Sequence, residues 1–155
     1  MPSLRFSEYV SDERLQLIVD SYRRLTGKAL LNRQFSAPGE LRSLLWEAPC
    51  AIVAHGTESD PMFFYGNRYA LECFGMDFKE FTRLPSRLSA EPDAQQAREK
   101  LLQRVAQQGF VDGYSGIRIA KDGTRFRIAD CTIWNLLDER GTCHGQAAVF
   151  VRQDS

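Results

Sequence analysis

The stretch Met62–Gly75, Met-Phe-Phe-Tyr-Gly-Asn-Arg-Tyr-Ala-Leu-Glu-Cys-Phe-Gly, compresses a change of secondary structure into a few residues. Met62 to Tyr65 is an apolar, aromatic run too short for a helix, so it predicts a strand. Gly66-Asn67 breaks the run, and Asn67 is a good N-cap because its side-chain oxygen accepts from an orphan N–H of the following turn. Ala70, Leu71, Cys73 and Phe74 then fall at helical spacing, and Gly75 stops the helix. The neighbours of this strand–turn–helix unit decide which mixed α and β domain it belongs to.

The 155 residues suffice for one domain that buries about 70% of its unfolded surface. Apolar residues make up 43% and charged residues 26%, as in a soluble globular protein. The 20 basic residues match the 20 acidic ones, so no net field draws nucleic acid or an anionic membrane. No apolar run approaches the roughly 20 residues of a membrane span, and Arg5 and Glu8 stand where a signal peptide needs an apolar core. Cys50, Cys73, Cys131 and Cys143 are scattered without a Cys-x-x-Cys pair, the pattern of buried free thiols in a reducing compartment. A cytoplasmic single domain is expected.

Ser11 or Asp12 caps a helix that should run to about Leu31, with Leu15, Ile18, Val19, Tyr22 and Leu25 on its apolar stripe and Gly27 as its weak point. After Gln34–Ala37, Pro38 opens a second helix that Pro49 closes. Residues 1–48 thus read as an N-terminal helical extension, and 49–155 as a single compact unit to which it packs. Cys50–Ala54 is the first strand candidate, and His55–Pro61 is dense in turn formers. Beyond Gly75, Asp77 caps a short turn bearing Phe78 and Phe81, and Pro92-Asp93 introduce a helix from about Ala94 to Gln108. Phe110–Ala120, Thr124–Leu137 and Cys143–Arg152 read as a three-stranded antiparallel meander.

Asp122-Gly123 suits a two-residue type I′ loop. Ile119 then opposes Phe126 and Ile117 opposes Ile128, which puts these four on one face and Arg118 and Arg127 on the other. Alternation carries Asp130, Thr132 and Trp134 onto the same face as Phe126. A carboxylate buried there needs a partner. Asp130 pairs with Tyr114, Ser115, Tyr65 or Arg68, holds a ligand, or turns to solvent at a bulge. The last strand is apolar on both faces, Ala147, Val149 and Val151 alternating with Ala148 and Phe150, so its outer face should be covered too. The N-terminal helix can do this in its own subunit, in a dimer mate, or across both.

The order strand, strand, short helices, longer helix, three strands resembles that of a PAS domain over residues 48–152. Tyr65-Gly-Asn67-Arg-Tyr-Ala70-Leu71-Glu-Cys-Phe74-Gly75, Lys121-Asp122-Gly123-Thr124-x-Phe126 and Asp138-x-x-Gly141-x-x-x-Gly145 are similar to the PAS pattern. Within that superfamily the chain resembles the MEKHLA domain through Leu25-Thr-Gly27-Lys28-x-Leu30-Leu31, Tyr65-Gly-Asn67, Ser86-Arg87-Leu88-Ser89 and Ile133-Trp134-Asn135, though the literal Met-Glu-Lys-His-Leu-Ala run is absent. The resemblance implies an α+β fold, a five-stranded antiparallel sheet with helices on one face and a cavity between them, preceded by the N-terminal helices. It also implies dimerisation through such a helix and the outer sheet face, so a homodimer is expected. It names no cofactor, because the PAS fold hosts haem, flavin, small metabolites or nothing.

The residues bear on that choice. Haem would need an axial His near the longer helix, and Pro92–Gly109 holds no His, Cys, Met or Tyr. His55 and His144 are expected at the surface or in turns. A covalent flavin photocycle would need an Asn-Cys-Arg-Phe motif where this chain reads Leu84-Pro-Ser-Arg-Leu-Ser-Ala90. Haem and covalent flavin are therefore disfavoured and the cofactor stays unknown. Zinc-ligand spacing, a hydrolytic triad and a phosphate loop are all missing from the sequence, which argues against an enzyme.

Around a cavity the reading places Tyr65, Tyr69, Phe74, Leu101 and Val105 with Ile117, Ile128 and Trp134, and adds the polar Asn67 and Asp130. The function expected is a PAS-like sensor module that binds a small molecule or a protein partner and signals through its N-terminal helix or a dimer interface, with no nucleic-acid or membrane partner. A ligand-free interaction scaffold is the alternative, and a small α+β enzyme the third reading.

Overall fold

The computed structural model describes residues 10–33 and 38–153. The connection Gln34–Ala37 and the N-terminal Arg5 and Glu8 lie outside the described residues. Ser11 caps α1 (Asp12–Thr26), its hydroxyl accepting from the Arg14 N–H at 3.2 Å, and Gly27 at φ 74° ends it. The helix therefore stops short of Leu31. Leu30–Asn32 forms a separate 3₁₀ turn in which Leu31 takes a φ of 60°. Next come α2 (Pro38–Trp46), β1 (Ala51–His55), β2 (Phe63–Gly66), α3 (Arg68–Phe74) and α4 (Phe78–Phe81). A 3₁₀ turn at Ser86–Ser89 leads to α5 (Pro92–Gln108), followed by β3 (Phe110–Ile119), β4 (Arg125–Leu137) and β5 (Cys143–Gln153).

The strands form one antiparallel sheet in the order β2-β1-β5-β4-β3. Helices α3, α4 and α5 cover its inner face, where Phe63 stacks on Phe81 at 4.2 Å and Phe74 meets Phe126 edge-on at 5.1 Å. Asn67 joins the layers. Its side-chain oxygen accepts from Ala70 N, which caps α3, and from Ile52 N in β1, while its amide donates to Leu45 O and Cys50 O, all within 2.8–3.1 Å.

The β3–β4 reversal is one residue longer than the Asp-Gly dipeptide alone predicts. Ala120 N donates to Thr124 O at 2.8 Å and Gly123 sits at φ 88°, which makes a three-residue loop with a left-handed glycine. Arg118 therefore opposes Phe126, and Ile119 opposes Arg125. A slip of one residue exchanges the faces. Arg118 turns inward, and Ile117 turns outward to become one of the exposed large apolar side chains.

A second irregularity lies in β4 between Ala129 and Thr132, where Asp130 adopts a φ of 51° and points to solvent. This bulge shifts the alternation. Phe126 and Ile128 face inward before it, and Cys131, Ile133 and Asn135 face inward after it. Trp134 consequently lies on the outer face, the reverse of the unbroken alternation.

On that outer face α1 of the same chain packs across β4. The Trp134 indole N–H donates to Ile18 O at 3.1 Å, and Tyr22 meets the indole edge-on at 4.9 Å. Ser21 Oγ both donates to Leu137 O and accepts from Leu137 N at 2.9 Å, and the Arg24 guanidinium reaches the same carbonyl. Cover for the outer face is thus supplied by the chain's own helix near β4, while Val149 and Val151 on β5 stay half-buried.

Candidate functional site

Between the inner face of the sheet and α5 lies a cavity of about 50 Å³. Its apolar wall includes Phe63, Phe74, Leu102, Ile128, Ile133 and Phe150. Its polar lining comes from five elements: His55 at the end of β1, Ser89 in the 3₁₀ turn, Arg98 on α5, Arg118 on β3 and Gln146 on β5. Cys131 on β4 adds a buried thiol, pushed up to about 12 by burial with Arg118 acting the other way.

The two arginines are the unusual part. Each retains only 8% of its surface exposure. Arg98 forms no hydrogen bond or ion pair with any described residue, and burial followed by the nearby Arg118 brings its guanidinium down to about 10, against smaller opposing attractions to Tyr114 and Glu99. Arg118 donates to the carbonyl of its neighbour Ile117 at 2.9 Å and lies 5.8 Å from the Tyr114 ring. Among the described residues no Asp or Glu lines this cavity. Burying a charge without a counter-charge is costly, so two largely buried guanidiniums with no carboxylate on the cavity wall are an incomplete ionic arrangement.

His55 is buried at 9% exposure, contrary to the surface position expected of it. Only an N–H can bond to a carbonyl, so Nδ1, 3.0 Å from Gly56 O, carries the proton in the neutral ring. Nε2 then presents a bare lone pair with no hydrogen-bond partner. Burial lowers the pKa of His55, Arg98 lowers it further, and the Gly56 carbonyl, Gln146 and Glu58 oppose that shift. Gln146 is anchored by donating its amide to Leu102 O and to Asn135 Oδ1, each at 3.1 Å. Asn135 in turn donates to Val105 O at 3.1 Å, so β4 and β5 grip the C-terminal half of α5 through two amide side chains.

Of the residues expected around a ligand, Phe74 and Ile128 line the cavity. Leu101 and Val105 are buried core residues of α5 outside its wall, which Arg98 and Leu102 supply instead. Tyr65 is buried with its hydroxyl unpaired and its ring 6.1 Å from Phe78, away from the cavity. Tyr69 accepts from Arg152 N at 2.9 Å and borders a separate surface depression with Glu72 and Cys73. Asn67 has its bonding capacity filled within the chain. Ile117, Asp130 and Trp134 lie off the cavity for the reasons of register and bulge given above.

Arg98, Arg118, His55 and Gln146 escaped the sequence reading. Arg118 between Ile117 and Ile119 carried a signal, since an alternating strand must place either the arginine or both isoleucines inward. Among the described residues no three His, Cys, Asp or Glu side chains converge to hold a metal ion, and no helix is long and apolar enough to cross a membrane.

The architecture has close structural counterparts. A PAS domain from Colwellia psychrerythraea superposes with a TM-score of 0.63 at 15% identity, covering 72% of this chain and 92% of that one. A light-oxygen-voltage domain studied with a flavin analogue gives 0.62 at 18% identity over 74% and 85%. The PAS domain of a LuxR-family transcriptional regulator from Burkholderia thailandensis, in complex with ethanol, gives 0.59 at 13% over 74% and 97%. At such identities the likeness is one of fold. No curated protein matches the sequence. The MEKHLA domain model, in contrast, matches residues 12–154, taking in α1, α2 and the whole sheet. With a PAS-type sheet and a family match over nearly its full length, the chain belongs to the MEKHLA domain family.

Proposed function

We propose that this domain is a sensor module in which a small ligand held between the sheet and α5 biases the docking of α1 on the opposite face. The observation that carries the reading is the adjacent pair Trp134 and Asn135. The first hydrogen-bonds to α1 and the second to α5, from opposite faces of one strand. A ligand that prefers one position of α5 would pull on the same strand that holds α1, and it shifts the population only as far as its affinities for the two positions differ. The occupant must be small. Drug-sized ligands take pockets of roughly 300–1,000 Å³, and a flavin ring does not fit a cavity of about 50 Å³. Nor does the apolar β5 require a second copy next to β4, where α1 already covers the sheet.

The test has two parts. The protein is purified from its host, denatured, and the released small molecules are identified by mass spectrometry. Trp134 emission is then followed in a Trp46→Phe background as that molecule is removed and restored. A stoichiometric molecule that changes Trp134 emission is expected. Emission indifferent to its removal would refute the coupling. The small cavity also favours a second reading, a ligand-free interaction scaffold, and a protein that elutes empty and responds to no small molecule would put that reading first.

A further inference from the structure

This inference rests on the cavity being a ligand site and names what it takes. An arginine fork offers five N–H donors and matches the planar edge of a carboxylate or a face of phosphate. Arg118 engages one described acceptor and Arg98 none, and none of their nitrogens is sealed from solvent without a partner, so their remaining donors are open to a ligand that enters. Beside them the bare Nε2 of His55 is buried with no partner, and on protonation it becomes one more donor. Access is also present. A surface groove of about 400 Å³ shares His55, Arg98, Leu102 and Gln146 with the cavity, so Arg98 stands between solvent and interior. The acidic Asp60 and Glu99 line the groove but not the cavity, and Asp60 is paired with Arg87.

We propose that the cavity binds one small oxyanion, a carboxylate or inorganic phosphate, clamped between Arg98 of α5 and Arg118 of β3 with His55 as the third contact. The anion supplies the counter-charge that the protein wall lacks. Because one arginine belongs to α5 and the other to the sheet, the anion also draws the helix toward the strands.

The full chain is dialysed into a low-salt HEPES buffer, a zwitterion whose ring and side arms are too bulky for the cavity. It is then titrated with sodium formate, acetate or phosphate, and with acetamide as the uncharged match to acetate. Thermal unfolding and calorimetry are read for wild type, Arg98→Met and Arg118→Met. The expected result is a thermal midpoint that climbs with the oxyanion and not with acetamide, with one site per chain. Each variant should weaken binding about 10- to 100-fold, the loss of charge-assisted hydrogen bonds. Both variants should fold, because each removes a buried, unpaired charge. A response to acetate or formate alone identifies an organic acid, and a response to phosphate alone an inorganic ion. No oxyanion response, an equal response to acetamide, or an undiminished response in both variants overturns the proposal. A neutral molecule found in the native protein would overturn it while leaving the sensor reading intact. An oxyanion that binds without changing Trp134 emission would do the opposite.

Discussion

The carbonyl oxygen of His55 lies 2.0 Å from where a β-carbon on Gly145 would stand. Strand β5 can run this close to β1 only because residue 145 is glycine, at a φ of 134°. The contact fixes the end of β1, and with it the imidazole that projects into the cavity. Gly145→Ala is expected to destabilise the fold by roughly 1–3 kcal/mol from backbone strain alone, with the carbonyl clash adding to that. Urea unfolding measures it, and a wild-type midpoint would show that β1 and β5 separate freely.

Asn67 satisfies three separate segments at once, so its loss should exceed that of an ordinary helix cap. Asn67→Ala removes the cap, worth about 1 kcal/mol, and takes the partner from Ile52 N and Cys50 O at about 1–3 kcal/mol each, while Leu45 O keeps Ala48 N. A loss of at least about 3 kcal/mol is expected from these sums. A change below about 1 kcal/mol in chemical denaturation would mean that water replaces the amide.

Ser21→Ala breaks the two-way bond between α1 and Leu137, for an expected cost of about 1–3 kcal/mol. Hydrogen exchange should quicken in α1. Asn135→Ala touches α5 and Gln146 instead. In a coupled domain it too speeds exchange in α1, whereas in an uncoupled one only α5 responds.

His55 gives a pH dependence of known sign. Its folded pKa lies below the ordinary imidazole value of about 6.5, with burial the largest cause and Arg98 adding to it. The unfolded chain therefore binds the proton first, and stability present above about pH 6.5 declines as pH falls through the folded pKa. Glu58 and Gln146 oppose the shift, and Arg118 shares the cavity. His55→Gln should flatten the decline of stability below about pH 6.5. A bound oxyanion should do the same in wild type, because it favours the imidazolium. An unchanged slope in His55→Gln would assign the decline to another group.

Local chemistry made most of the architecture legible. The caps at Ser11, Asn67 and Asp77 and the stop at Gly75 all stand where side-chain hydrogen bonds and left-handed glycine place them. The facing of the meander was not legible, for two reasons of one residue each. Asp122-Gly123 serves a two-residue loop and, with Gly123 left-handed, a three-residue loop equally well, and pairing along the whole of β3 and β4 decides between them. The bulge at Asp130 depends on a residue type that tolerates positive φ without demanding it. Those two choices turned Arg118 inward, sent Trp134 to α1 and moved the polar centre of the cavity to residues whose local sequence reads as ordinary. Arg98 looked like one more charged position on a helix, and only the sheet beneath it shows otherwise.

The Asp130 bulge also sets what β4 can tolerate. The strand is read in two phases, and every side chain from Cys131 to Leu137 depends on the extra residue for its face. Losing one residue there would send Asn135 into the apolar layer beneath α1 and Trp134 toward the cavity, cutting both helix tethers together. This segment can accept substitution in place, but not a change of length.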